Sequence, residues 1–178
     1  EVVVHGMPSA KRQLKSGDIV SIDTGLAIDG YYGDSAVTVA VGEIPAETQR
    51  LLDVTKESLE LAIQQCQPGN RLFDISRTVE GHVLKNGFTV VREFVGHGIG
   101  TKLHEEPQVP NYVDRQQENP KLKEGMVIAI EPMVNQGKPE TNVLSDKWTA
   151  VATDGKPSAH FEHVVAITAD GPWVLTRP

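Results

Sequence analysis

The sequence predicts an α+β fold, with helices packed on one face of an antiparallel-rich mixed sheet. Three observations carry that prediction. One long β-rich stretch doubles back at Asp29-Gly30, two segments of helical period follow it, and short apolar strand-like runs fill the second half. The resulting order is β-β-α-α-β-β-β-β.

The hairpin is "DIVSIDTGLAIDGYYGDSAVTVAVG", residues 18–42. Asp-Gly between two β-rich runs suits a two-residue type I′ turn, which needs positive φ at both central positions. With that turn, Asp34 falls opposite Gly25 and shares a face with Asp23, about 7–8 Å away on the diagonal. Next, "PAETQRLLDVTKESLELAIQQCQPG" spaces Leu51, Leu52, Thr55, Leu59, Ala62, Ile63 and Cys66 near helical period, and Pro68-Gly69 stops it. A second helix is expected from Asp74 to Asn86-Gly87, burying Ile75, Val79, Val83 and Leu84. "FTVVREFVG" reads as a strand entering a glycine loop. Residues 107–124, polar and holding three prolines, read as a surface connection. "MVIAIEPMV" (126–134) reads as one strand. "WTAVATDGKPSAHFEHVVAIT" reads as a closing hairpin turned at Asp154-Gly155. The whole, 1–178, suits a single domain.

Bulk properties exclude several functions. A net charge of −7 repels phosphate backbones, so nucleic acid is not the expected partner. A single cysteine, Cys66, closes no internal disulfide and fits a reducing compartment. No apolar run reaches the ~18 residues of a membrane span and no signal peptide is visible, so the expected location is cytoplasmic. The chain opens "EVVVHGMPS", without an initiator methionine and already in a strand-like run. An N-terminal segment is therefore expected to be absent.

The carboxylates point to chemistry. Two aspartates on one strand face repel each other unless they face water or share a cation. "VIAIEPMV" places Glu131 at the end of an apolar strand, and "SAHFEHVVAIT" places Glu162 inside a core-like run. Charged side chains are almost never fully buried without a partner, and neither strand offers a nearby basic residue. Asp23, Asp34, Glu131 and Glu162, with neutral His97 from "FVGHGIGTKLHEEP", make an oxygen-rich donor set for two divalent cations. Manganese, cobalt, iron and zinc all suit such a set. The glycines around His97 let backbone and substrate approach closely. His104 and His5 stay free of metal and face the substrate, whereas His82, His160 and His163 are read as structural.

Taken in order, "VHGMPS", "GDIVSIDTG", "GYYGDSA", "FVGHGIGTKLHEEP", "IAIEPMV" and "FEHVVAIT" resemble the methionine aminopeptidases of type I. The resemblance spans nearly the whole chain. It implies a pita-bread fold, two α/β halves related by a pseudo-twofold around a dinuclear centre. It implies removal of the N-terminal methionine from nascent polypeptides, at the ribosome, by metal-activated hydroxide. The metal ligands it implies are Asp23, Asp34, His97, Glu131 and Glu162, with Glu131 also the acid/base. It gives His5 and His104 contacts to the substrate amide and the tetrahedral intermediate. It makes Trp148 a wall of the methionine pocket, and puts Leu103 where the family commonly has an aromatic residue. The implied compartment is the cytoplasm, or an organelle in a eukaryote. Because the family carries further residues upstream, this chain is expected to cleave weakly or not at all. It is also expected to leave a sheet face open for self-association. A proline-directed aminopeptidase of the same fold and a non-catalytic partner-binding module are the alternatives. "IEPMV" and "HGIGTKLHEEP" argue against the first, and retention of all five ligands argues against the second.

Overall fold

The computed structural model describes residues 1–177. In chain order it contains β1 (Val2–Val4), β2 (Ile19–Ile28), β3 (Tyr31–Ala40), α1 (Ala46–Ile63), α2 (Leu72–Lys85), β4 (Thr89–Val90) and β5 (Gly96–Gly98). Then follow β6 (Glu105–Val109), β7 (Val127–Ile130), β8 (Met133–Asn135), β9 (Thr141–Val143), β10 (Ala150–Ala152), β11 (Ser158–His160), β12 (His163–Thr168) and β13 (Gly171–Val174). All strand pairings are antiparallel, in sheets ordered β13-β12-β7-β5-β6, β11-β8-β4 and β1-β10-β9, with β2-β3 a separate hairpin.

The hairpin forms as its turn chemistry dictates. Asp29 and Gly30 take φ of 49° and 84°, the positive pair that a type I′ turn requires. The register places Gly25 opposite Asp34 and Asp23 opposite Ala36, so the two aspartates share a face. The other face exposes Ile22, Val37 and Val39 on one side of the Thr24–Ser35 pair and Leu26, Ile28 and Tyr31 on the other.

Behind the site lie the two helices. Leu51, Leu59 and Ala62 of α1 and Ile75, Val79 and Val83 of α2 form one buried cluster with Phe88, Ile128, Ile130 and Ile167. α1 crosses β7, β8 and β11, so the helices cover one side of these sheets. The second helix begins at Leu72, two residues before the expected start. The Asp74 carboxylate accepts the Arg71 N–H at 2.8 Å, which makes Asp74 a capping residue within the first turn. Leu84 is 53% exposed rather than buried, because the Val79–Val83 stripe leaves it one 100° step around the helix.

Three strand expectations are corrected. Residues 126–134 are not one strand: β7 ends at Ile130 and β8 starts at Met133 in a different sheet, with Glu131-Pro132 at the break. Residues 148–168 make no hairpin, since β10 pairs with β1 and β9 while β11 pairs with β8. "FTVVREFVG" is not one strand either, being split between β4 and β5. Each segment changes sheet partway, and which sheet a strand joins is set by partners far along the chain rather than by the local apolar pattern.

Candidate metal centre

Several strands deliver the candidate site. The first is β5, where His97 is buried and its Nδ1 donates to the Gly98 carbonyl at 2.9 Å. A carbonyl only accepts, so that bond fixes the tautomer and leaves Nε2 as a bare acceptor. This Nε2 lies 3.5 Å from Glu131 Oε1 and 3.9 Å from Asp34 Oδ2. The flanking glycines serve the close backbone approach expected of them. A Cβ at Gly96 would sit 2.3 Å from the Ala129 carbonyl oxygen, and one at Gly98 would sit 2.3 Å from that of Glu106. They admit neighbouring backbone on both edges of β5, and His97 is held in a strand rather than a loop.

Glu131 and Glu162 occupy equivalent breaks. The β7–β8 ribbon runs antiparallel to the β11–β12 ribbon, with Ile130 opposite His163 and Met133 opposite His160. Both ribbons change sheets at the same level, so the glutamates at the two breaks converge. Buried Asn111 donates to the Glu131 carbonyl at 3.0 Å and pins that break. On the other side, the Glu162 N–H donates to the Ala36 carbonyl at 2.8 Å, and Ser35 Oγ donates to the Glu162 carbonyl at 3.2 Å. These bonds dock β3 on the break and bring Asp34 to it.

Oxygen or nitrogen atoms of Asp34, His97 and Glu162 lie within 4.8 Å of one another. Glu131 joins through its contact with His97. Asp23 stands at the exposed rim on β2, outside the tight cluster but close enough that its charge acts on Asp34 and Glu162. Burial first, then the charges of Glu131, Asp34 and Asp23, push the Glu162 carboxyl far above the usual carboxylate range. Asp34 is raised by burial, then by Asp23 and Glu131, with His97 and the Ser35 N–H opposing.

This donor set fits divalent cations. Glu162 is 2% exposed and its Oε1 has no hydrogen-bond partner. Among the described residues, the basic side chains near these carboxylates are imidazoles only, with no lysine or arginine. Carboxylates gathered without compensation are costly, and a cation removes the cost.

The remaining expected residues frame the opening. His104 is exposed beside His97, rings edge to face at 4.3 Å. His5 follows β1 with φ of 59°, stacked on the exposed Trp148 ring at 4.4 Å and edge-on to Phe94 at 5.6 Å. Leu103 lies against Gly25, where an added Cβ would sit 3.5 Å from both the Leu103 methyl and Asp34 Oδ1. A cavity of about 690 Å³ runs beside the cluster, lined in part by His97, His104, Glu106 and Gln108.

Two groups escaped sequence reading. His160, read there as structural, has its Nε2 3.7 Å from Glu131 Oε2 and faces the site. Asp146 holds the loop that carries Trp148. Its Oδ1 accepts the N–H groups of Trp148 and Thr149, each at 2.9 Å, and its Oδ2 accepts the Thr149 hydroxyl at 2.6 Å. Thr149 Oγ1 also meets the His5 carbonyl at 3.2 Å. Only alternation across a strand break linked His160 to Glu162, and nothing in the sequence linked Asp146 to His5. His82 and His163 keep structural roles, against Glu57 Oε2 at 3.2 Å and Thr176 Oγ1 at 2.8 Å.

Comparison with known proteins gives the same picture. Residues 1–169 match the family described as Metallopeptidase family M24. Methionine aminopeptidase 1 of Bacillus subtilis is 51% identical over 177 residues, covering 99% of this chain and 71% of that protein. Methionine aminopeptidase of Clostridium perfringens is 51% identical over 174 residues, covering 98% and 69%. The crystal structure of methionine aminopeptidase from Thermotoga maritima superposes with a TM-score of 0.96 at 47% identity, over 100% of this chain and 71% of that one. A recombinant prolidase from Thermococcus sibiricus superposes less closely, with a TM-score of 0.74 at 29% identity over 97% and 41%. The convergent carboxylates and imidazole, the match along the length of the chain and the likeness of fold agree: this chain belongs to metallopeptidase family M24.

Proposed function

We propose that this chain is a metal-dependent aminopeptidase that removes the N-terminal methionine of nascent polypeptides. The observation that carries the reading is the cluster of Asp34, His97 and Glu162, with Glu131 beside it and Asp23 at the rim. These five residues are the proposed holders of two divalent cations, from cobalt, manganese, iron or zinc. Bound there, such cations supply Lewis-acid polarisation of the scissile carbonyl and make water a stronger acid.

The chain's own groups do the rest. Glu131, with one oxygen on the His97 side, accepts a proton from water and returns it to the leaving amine. His104 and His5 flank the opening from two elements and hold the substrate amide, and they favour the developing tetrahedral oxygen. Trp148, stacked on His5, forms with Leu103 the walls for the methionine side chain. Residues 1–178 act as one catalytic domain. The single cysteine, Cys66, is buried with its thiol pushed up to about 12 by burial, which keeps it out of the chemistry. Among the described residues, no helix is long and apolar enough to cross a membrane. The reading places the enzyme in the cytoplasm, acting on chains as they leave the ribosome.

Turnover of a methionine-initiated tripeptide by cation-loaded protein, beside an Xaa-Pro peptide of equal length, tests the proposal. Slow cleavage of the first and none of the second is expected, since the chain covers 71% of the Bacillus subtilis relative. Preference for the Xaa-Pro peptide would transfer the assignment to the proline-directed relatives.

A further inference from the structure

We propose that His160 is a positioning residue for Glu131, with its Nε2–H directed at Oε2 of that carboxylate and the other oxygen left facing His97. The inference rests on the reading of the metal centre given above. His160 is 1% exposed, ends β11 two residues before Glu162, and points its Nε2 at Glu131 Oε2 across 3.7 Å. No other group takes that nitrogen: Nε2 is buried without a hydrogen-bond partner. A buried polar atom left unpaired costs stability, so a residue that only fills space here would be better served by an apolar side chain. The gap exceeds hydrogen-bond length by a few tenths of an ångström. Rotation of the Glu131 carboxylate about its terminal bond would bring the two atoms to that length.

The backbone around His160 is fixed more tightly than packing requires. Its N–H donates to Thr38 Oγ1 at 2.8 Å, and the Thr38 hydroxyl donates to the His160 carbonyl at 2.8 Å. Ser21 Oγ completes this latch at 2.8 Å from Thr38 Oγ1, giving the Thr38 oxygen a second donor. The strand that carries Asp34 thereby fixes the height of the His160 ring. Glu131 is left between two imidazoles, Oε1 at 3.5 Å from His97 and Oε2 at 3.7 Å from His160. A carboxylate held at one oxygen presents the other in a defined direction, and partners of this kind typically change metal affinity or activity 10–100-fold when removed.

The test compares His160→Leu, His160→Gln and Glu131→Gln, each folded by circular dichroism, in manganese affinity by calorimetry and in turnover of a methionine-initiated tripeptide. His160→Leu is expected to bind manganese at least tenfold more weakly. Its kcat should fall while KM stays near the parent value, with metal-free thermal stability unchanged or raised. Glutamine places a donor near the same point, so His160→Gln should recover most of both losses. Parent-like affinity and turnover in His160→Leu would overturn the inference. Should His160→Leu not fold, His160→Met replaces it under the same two criteria. Glu131→Gln separates the levels. If it too behaves as the parent, the reading of the centre fails; if it is impaired while His160→Leu is not, only the role of His160 fails.

Discussion

Asp34 is the residue on which the centre turns, because it arrives from the hairpin and touches the His97 side of the cluster at 3.9 Å. Asp34→Asn keeps the shape and removes the charge, so we expect loss of one bound cation equivalent by calorimetry. Full stoichiometry in that variant would remove Asp34 from the ligand set. Protons should move as well. Burial and neighbouring carboxylates push the Glu162 carboxyl far above the usual range, so the metal-free fold holds a proton there that ligation must displace, and they raise Asp34 in the same direction. Cation binding should therefore release protons, and apparent affinity should rise with pH. Calorimetry in two buffers of different ionisation enthalpy reads this directly, and equal heats in both would contradict it. Stability of the metal-free protein follows the same sign. Raised carboxyls favour the fold below their unfolded values, and the contribution fades as pH climbs toward their folded ones. A further residue-scale expectation concerns Thr149, whose single hydroxyl proton serves Asp146 Oδ2 at 2.6 Å beside the His5 carbonyl at 3.2 Å. Thr149→Val removes an interaction of about 1 kcal/mol and should lower kcat/KM on methionine peptides roughly fivefold. An unchanged value would show that the loop holds His5 without it.

At the scale of elements, β5 shows what the sequence conceals. Its glycines were legible as a place of close approach, but not that the approaching groups are the Ala129 and Glu106 carbonyls. Gly96→Ala would force β5 and β7 apart, at a cost of about 1–3 kcal/mol in chemical denaturation. It should also weaken cation binding, because His97 is the next residue. A variant as stable as the parent would mean that the strands can separate freely. The hairpin was the most legible element, since Asp29-Gly30 fixes a two-residue turn and the alternation fixes the face. The observed pairing of Gly25 with Asp34 follows from those two facts alone. The breaks at Glu131-Pro132 and Phe161-Glu162 were illegible. Apolar side chains flank both, and which sheet a strand joins depends on partners far along the chain. His160 was missed for the same reason, since its neighbour in space is Glu131 across the break. Leu84 was misjudged by one position of helical phase.

For the whole molecule, the outer hairpin face matters most after the centre. Ile22, Leu26, Ile28, Tyr31, Val37 and Val39 leave much of this face apolar and exposed, the kind of surface that marks an interaction site. Self-association through this face is therefore expected of the chain, and sedimentation should show a concentration-dependent dimer that Ile28→Lys dissolves. A monomer at every concentration would contradict it. The molecule otherwise reads as one arrangement, in which helices support two bent ribbons, the ribbons present two glutamates, and the hairpin closes the ring of ligands. The most direct measurement is an anomalous difference map of cobalt-loaded protein. The account predicts density among Asp34, His97 and Glu162, within reach of Glu131. Cobalt bound elsewhere, with those side chains left as they stand, would contradict it.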